Sequence, residues 1–222
     1  MNRLQNKNII IFGATGLIGK HLTSSFASKG ANLIVHGRSN EKLKILSGQV
    51  PNEFKKPVFL QSDIMSENFY LDILKIVSLK FKHIDIMINL VSRFDGLKPL
   101  IDLSHKEWNE LMEVNFNSHW RILKELNPLL GKNSKSKVIF LNNQSIQRGK
   151  AYHNSLSISM GALNSLVQTL NLEKKKIGVE FFLVESKELF AGATELLGGK
   201  KKFKKKDLDF TINNIMKKCL AY

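Results

Sequence analysis

Cysteine is almost missing from this chain. Cys219 stands alone among 222 residues, so no intrachain disulfide can form. A reducing compartment follows, and the expected location is cytoplasmic. Long apolar runs are missing as well, and none approaches the roughly 20 residues that a membrane helix needs. The first apolar run, 9–12, follows a polar start and is broken at once by glycine, so no signal peptide is expected. There is no internal repeat and no low-complexity linker. Arginine is scarce: of the 34 basic residues, only Arg3, Arg38, Arg93, Arg121 and Arg148 are arginine.

That scarcity tempers the formal charge of +15. Base readout and forked phosphate contacts favour arginine, whereas lysine offers a point charge. The lysines are also spread along the whole chain, so nucleic acid is not expected as a partner, nor is a membrane. One concentrated run extends from Lys200 through Lys206, broken by Phe203. It reads as a solvated loop, or alternatively as a site for an acidic partner, RNA or anionic lipid whose affinity collapses with salt.

What remains is an ordinary globular composition, 43% hydrophobic and 24% charged, of a length that suits one domain over 1–222. Short β-branched runs alternate with longer helical periods. Strands are expected at 8–12, 32–36, 57–60, 84–89, 137–141 and 178–184. Helices are expected at 17–29, 40–46, 67–80, 104–127, 155–174 and 207–219. Ser104 and Glu107 form a capping box before the fourth helix. The alternation predicts an α/β fold, a Rossmann-like doubly wound parallel sheet of about six strands in the order 3-2-1-4-5-6 with helices on both faces. A ligand crevice is expected where the order reverses.

The turn after the first strand contains Gly13, Gly16 and Gly19. The first permits a tight turn, the second lets the backbone approach a pyrophosphate, and the third lets helix and strand pack closely. With Thr15, Leu17 and Ile18 they form the expected phosphate-binding set at a helix start. The spacing is Gly-x-x-Gly-x-x-Gly, and in another context it would be an ordinary tight turn. Where a carboxylate would hold a ribose 2′-hydroxyl, the second strand ends in Gly37, Arg38 and Ser39. An arginine fork and a hydroxyl suit a 2′-phosphate, so NADP(H) is expected over NAD(H). Asp63, after the third strand, is placed to accept from an adenine amino group or simply to cap a turn.

Phe12-Gly-Ala-Thr-Gly-Leu-Ile-Gly19, Gly37-Arg38-Ser39 and Ser62-Asp63-Ile64 together resemble the cofactor half of the short-chain dehydrogenases/reductases. So does Glu107-Trp-Asn-Glu-Leu-Met-Glu-Val-Asn115-Phe, with that family's buried asparagine, whereas the family's Asn-Asn-Ala-Gly after the fourth strand reads here as Asn89-Leu90-Val91-Ser92. Leu156-Ser-Ile-Ser-Met160-Gly-Ala-Leu163 resembles its catalytic helix. The resemblance implies Ile64 and Asn89 as further cofactor contacts, a homodimer paired through helices 104–127 and 155–174, and carbonyl reduction as the ancestral chemistry.

The departures fall on the chemistry. The family's catalytic serine aligns with Asn143 (or with Ser145 after a small register shift), its tyrosine with Leu156 and its lysine with Met160. Its Pro-Gly after the sixth strand is replaced by Ser186 and Lys187, and its last strand after the final helix has no counterpart before Tyr222. Reduction needs a donor to the carbonyl oxygen, a phenol to deliver a proton and an ammonium to lower the phenol pKa. Asn143 can donate, but Leu156 has no proton to give and Met160 no charge. Leu156, Met160, Leu163, Val167 and Leu170 instead form one apolar helical stripe, expected to pack on the sheet or a partner helix. The expected protein is thus an NADP(H)-binding relative with little or no standard activity. One alternative is an active oxidoreductase using Tyr152, a loop aromatic near Lys150 and His153, as proton donor. The other is lysine-mediated binding to an acidic partner or RNA.

Overall fold

A computed structural model describes residues 3–131, 135–174, 178–186 and 205–221. In chain order it contains β1 (Asn8–Phe12), α1 (Leu17–Ser28), β2 (Asn32–Gly37), α2 (Asn40–Gln49), β3 (Val58–Gln61), α3 (Glu67–Ser78) and β4 (Ile86–Asn89). Then follow α4 (His105–Met112), α5 (Ser118–Leu126), β5 (Ser136–Asn142), α6 (Gln144–Gln147), α7 (Asn154–Lys174), β6 (Val179–Glu185) and α8 (Lys205–Leu220). All six strands are parallel, in the order β3-β2-β1-β4-β5-β6. The chain thus forms the doubly wound sheet that its alternating pattern predicts.

Strand periodicity divides the core into two layers. Ile10, Phe12, Ile34, Met87, Val138 and Phe140 face one side, where α3, α5 and α7 cover them with Ile73, Ile122, Leu163 and Val167. Ile9, Ile11, Val35, Ile86, Ile88 and Ile139 face the other, covered by α1 and α8 through Leu22, Phe26, Leu208 and Ile215. Burial on both faces is why these strands read as nearly continuous β-branched runs. Lys137 is buried in β5, and its ammonium donates to the main-chain oxygens of Lys218 and Ala221, tying the end of α8 to the sheet.

The helix expected over 104–127 is not continuous. Its capping box is present at Ser104 and Glu107, but five residues, Glu113–Asn117, form a π-helical turn between α4 and α5. The widened turn accommodates buried Asn115, whose side chain accepts from the Arg93 amide (2.7 Å) and donates to the Arg93 carbonyl (2.8 Å). That pair fixes the loop after β4. Other differences are at element ends, such as β3 at Val58–Gln61 rather than 57–60, apart from α6, which the sequence pattern did not suggest. The run 200–206 lies outside the described residues except for Lys205 and Lys206, which open α8.

Two histidines are buried in neutral form. Burial holds the His119 pKa down to about 4, and burial also lowers His36 to about 4 against the opposing pull of the Ser62 carbonyl and Asp63. Both side chains titrate near 6.5 when unfolded. Folding stability is therefore full above pH 6.5 and is lost as pH falls towards 4, by about 3 kcal/mol per histidine. Urea unfolding of His119→Gln should show a shallower decline across that window than the parent chain. An unchanged slope would contradict the buried neutral assignment.

Candidate functional site

β1 and β4 are neighbours whose connections leave on opposite faces of the sheet, which opens a crevice at their carboxyl ends. A cleft of about 750 Å³ occupies it. Gly13, Thr15, Gly16, Leu17, Ile18 and Gly19 all line this cleft. Gly13 has φ +74, and a Cβ there would press on the Leu90 backbone at 3.1 Å. A Cβ at Gly19 would lie 2.6 Å from the Gly13 carbonyl oxygen and the Ala14 Cα, so only glycine lets α1 begin this close to β1. Gly16 is the N-cap of α1; no side chain caps the helix, and its first turn carries no acidic residue. The amides of Leu17, Ile18 and Gly19 thus have no intrahelical acceptor, and they sit at the positive end of the helix dipole. This is the geometry of an anion cradle.

The cleft continues past the end of β2. Arg38, Ser39 and Lys42 line it, with glycine rather than a carboxylate at 37. Ser39 accepts from the Lys42 amide at 3.2 Å and so caps α2, while the Arg38 guanidinium is exposed. Asp63 accepts from the Met65 amide at 2.9 Å, closing a turn, and it lines the cleft with buried Ile64. Asn89 departs from expectation. Its side chain is buried, accepts from the Val91 amide at 3.1 Å and does not line the cleft; its Nδ2 has no partner among the described residues.

His36 was not anticipated. It lines the cleft from β2, packed between Phe12 and Phe69, with Nε2 at 3.0 Å from the Ser62 carbonyl. A proton on Nε2 satisfies that carbonyl and leaves buried Nδ1 as an acceptor without a partner. The available signal was a polar residue on the inward face of an otherwise apolar strand. Arg93 and Phe94 also line the cleft beyond β4, where the Arg93 guanidinium is held by Asp95 (2.7 Å) and Glu110 (3.1 Å).

The positions expected to align with the family's catalytic residues do not line the cleft. Leu156 and Met160 are buried and join Phe94 and Ile146 in a small apolar cluster separate from both layers of the main core. The expected continuous stripe is therefore split: Leu163, Val167 and Leu170 pack in the main core, whereas Leu156 and Met160 meet Phe94 from the loop after β4 and Ile146 of α6. Asn143 is also committed elsewhere. Its oxygen caps α6, accepting from the Ser145 and Ile146 amides (3.1 and 3.2 Å) and from the Ser145 hydroxyl (2.7 Å), while its Nδ2 donates to the Ser186 carbonyl at 3.1 Å. Ser145 is itself exposed and turned to Asn143. Tyr152 sits in the loop before α7 at φ +64, is 60% exposed and does not line the cleft. The groups assembled here suit binding of an anionic nucleotide; beside the apolar cluster, the His153 ring stacks on Phe94 with 5.6 Å between centroids.

Solved structures share this architecture. A short chain dehydrogenase of Salmonella enterica serovar Typhi superposes with a TM-score of 0.87 over 98% of this chain and 91% of its own, at 19% identity. A candidate short chain dehydrogenase of Escherichia coli CFT073, solved with NADPH, gives 0.77 over 84% and 79%, at 21% identity. Among curated proteins, an uncharacterized oxidoreductase of Staphylococcus epidermidis is 24% identical over 180 residues, 81% of this chain and 76% of that protein. Residues 7–189 match the short chain dehydrogenase family, and the chain belongs to it.

Proposed function

We propose that this protein binds NADP(H) through the cradle at 13–19 and the basic end of β2, and does not carry out the carbonyl reduction typical of its family. In that role it acts as a sensor, assembly subunit or interaction module. One observation carries the reading: an open phosphate turn stands beside a sealed apolar cluster of Phe94, Ile146, Leu156 and Met160. The unpartnered Nδ1 of His36 and the bare amides of α1 are the donors and acceptors that a nucleotide would satisfy. Arg38, Ser39 and Lys42 would take a 2′-phosphate, and Asp63 the adenine edge. Bound NADPH would supply hydride, but reduction also consumes a proton, and Leu156 and Met160 have none to deliver. The exposure of Tyr152 outside the cleft gives the alternative donor no support.

A cytoplasmic setting is proposed with it, supported by a single buried cysteine whose thiol burial pushes up to about 12, leaving it unreactive. Among the described residues no helix is long and apolar enough to cross a membrane. Pairing of two copies through α4, α5 and α7 is the proposed assembly. It is supported by the exposed side chains of Trp120 on α5 and Ile158 on α7.

Calorimetric titration tests the nucleotide claim. NADPH should bind at least about tenfold more tightly than NADH, Arg38→Ala should erase that difference, and Gly16→Asp should abolish both by placing a carboxylate among the amides. No binding of either nucleotide by the parent chain would overturn the proposal. Cofactor-dependent reduction that Gly16→Asp eliminates would overturn its inactive half. The sealed cluster generates a separate prediction: Met160→Lys buries an ammonium against Phe94, Ile146 and Leu156 and should cost more than about 2 kcal/mol in urea unfolding. Unaltered stability would mean that the position opens to the cleft after all.

A further inference from the structure

The two ends of the sheet differ in charge. Around the cleft, at the carboxyl ends of the strands, several cations are held by carboxylates, Arg93 by Asp95 and Glu110 and Lys98 by Glu107, while Arg38 and Lys42 face the cleft itself. At the amino ends, Lys7, Lys55, Lys56, Lys80, Lys82 and Lys135 are all exposed. The parallel topology gathers their loops along one edge. There Asn32 donates its amide to the Lys7 carbonyl (2.8 Å), Lys137 to Asp85 (2.8 Å) and Ile84 to Leu129 (2.9 Å). Fewer carboxylates stand among them: Glu53, Asp85, Glu125, Glu173 and Glu180, of which Asp85 is already paired with Lys7.

Helix dipoles explain only part of this pattern. They favour cations in a last turn, which accounts for Lys217 and Lys218 on α8. Lys7, Lys55, Lys56, Lys82 and Lys135 lie outside helices altogether. The same edge also exposes two leucines, Leu79 at the end of α3 (75%) and Leu172 near the end of α7 (82%). Leucines standing in water among lysines match the interface of an anionic bilayer, which offers phosphates to the ammonium groups and a greasy boundary to the side chains between them.

We infer that this pole, opposite the cleft, is a docking surface for an anionic phospholipid bilayer. The lysines meet the headgroups, Leu79 and Leu172 enter the interface, and the cleft faces away from the membrane and stays open to its ligand. A nucleic-acid surface would draw on arginine forks and stacking rings. The exposed aromatics of the described chain, Trp120, Tyr152 and Phe210, are on none of these loops.

The test is flotation of the full chain with vesicles of phosphatidylcholine alone or mixed with phosphatidylserine. At about 0.15 M salt the protein should float with the mixed vesicles only, and at about 1 M it should be released. Lys55→Glu/Lys82→Glu and, independently, Lys56→Glu/Lys80→Glu should each reduce the bound fraction by about tenfold. Lys106→Glu/Lys150→Glu changes net charge equally at the other end and should leave binding within about twofold. Replacing Leu79 and Leu172 with serine should weaken binding that salt alone does not remove. Equal loss in every charge pair, flotation with plain phosphatidylcholine, no flotation at all, or displacement by an RNA duplex of matched phosphate content would each overturn the inference.

Discussion

The close approach of α1 to β1 governs the rest of the cleft. With a Cβ at Gly19 only 2.6 Å from backbone atoms of the preceding turn, any side chain would push the helix away from the sheet. Without one, the first-turn amides stand at the carboxyl edge, where an anion meets both their hydrogens and the helix dipole. Gly13 backs onto Leu90 across the gap, so the same turn also fixes the distance between the two walls of the crevice. The ends of β2 and β3 then need only contribute side chains. They do so with Arg38, Ser39 and Asp63, joined by Lys42 from the first turn of α2.

Local pattern revealed most of this, because strands buried on both faces leave an unmistakable β-branched signal and the glycine turn is read from three positions. What stayed hidden depends on encounters between distant segments. The π turn exists because Asn115 reaches the backbone of Arg93, a residue far away in sequence. The short helix α6 exists because Asn143 caps it while also reaching Ser186. Helical periodicity correctly placed Leu156, Met160 and Leu163 on one apolar face, but it is blind to what covers that face. The sheet covers Leu163, whereas the other two meet Phe94 of the loop after β4 and Ile146 of α6. His36 escaped notice for the same reason: its role follows from the carbonyl of Ser62 and the rings of Phe12 and Phe69 around it.

On the proposed reading, the family's fold and its nucleotide geometry outlive the groups that its usual chemistry requires. Leu156 and Met160 pack with Phe94 and Ile146, so neither position buries a polar side chain that would need a partner. Under the proposed function, the nucleotide-bound state matters more than any product. A lysine-rich pole at the far edge of the same sheet would let that state be read at a charged surface without obstructing the cleft.

Hydrogen–deuterium exchange with and without NADPH tests the central claim most directly, because it reports both regions in one experiment. Amides at 16–20 should gain protection when the nucleotide is added, while those at 156–160, sealed beneath Phe94 and Ile146, should exchange at the same rate in both states. Protection at 156–160 with none at 16–20 would contradict the account.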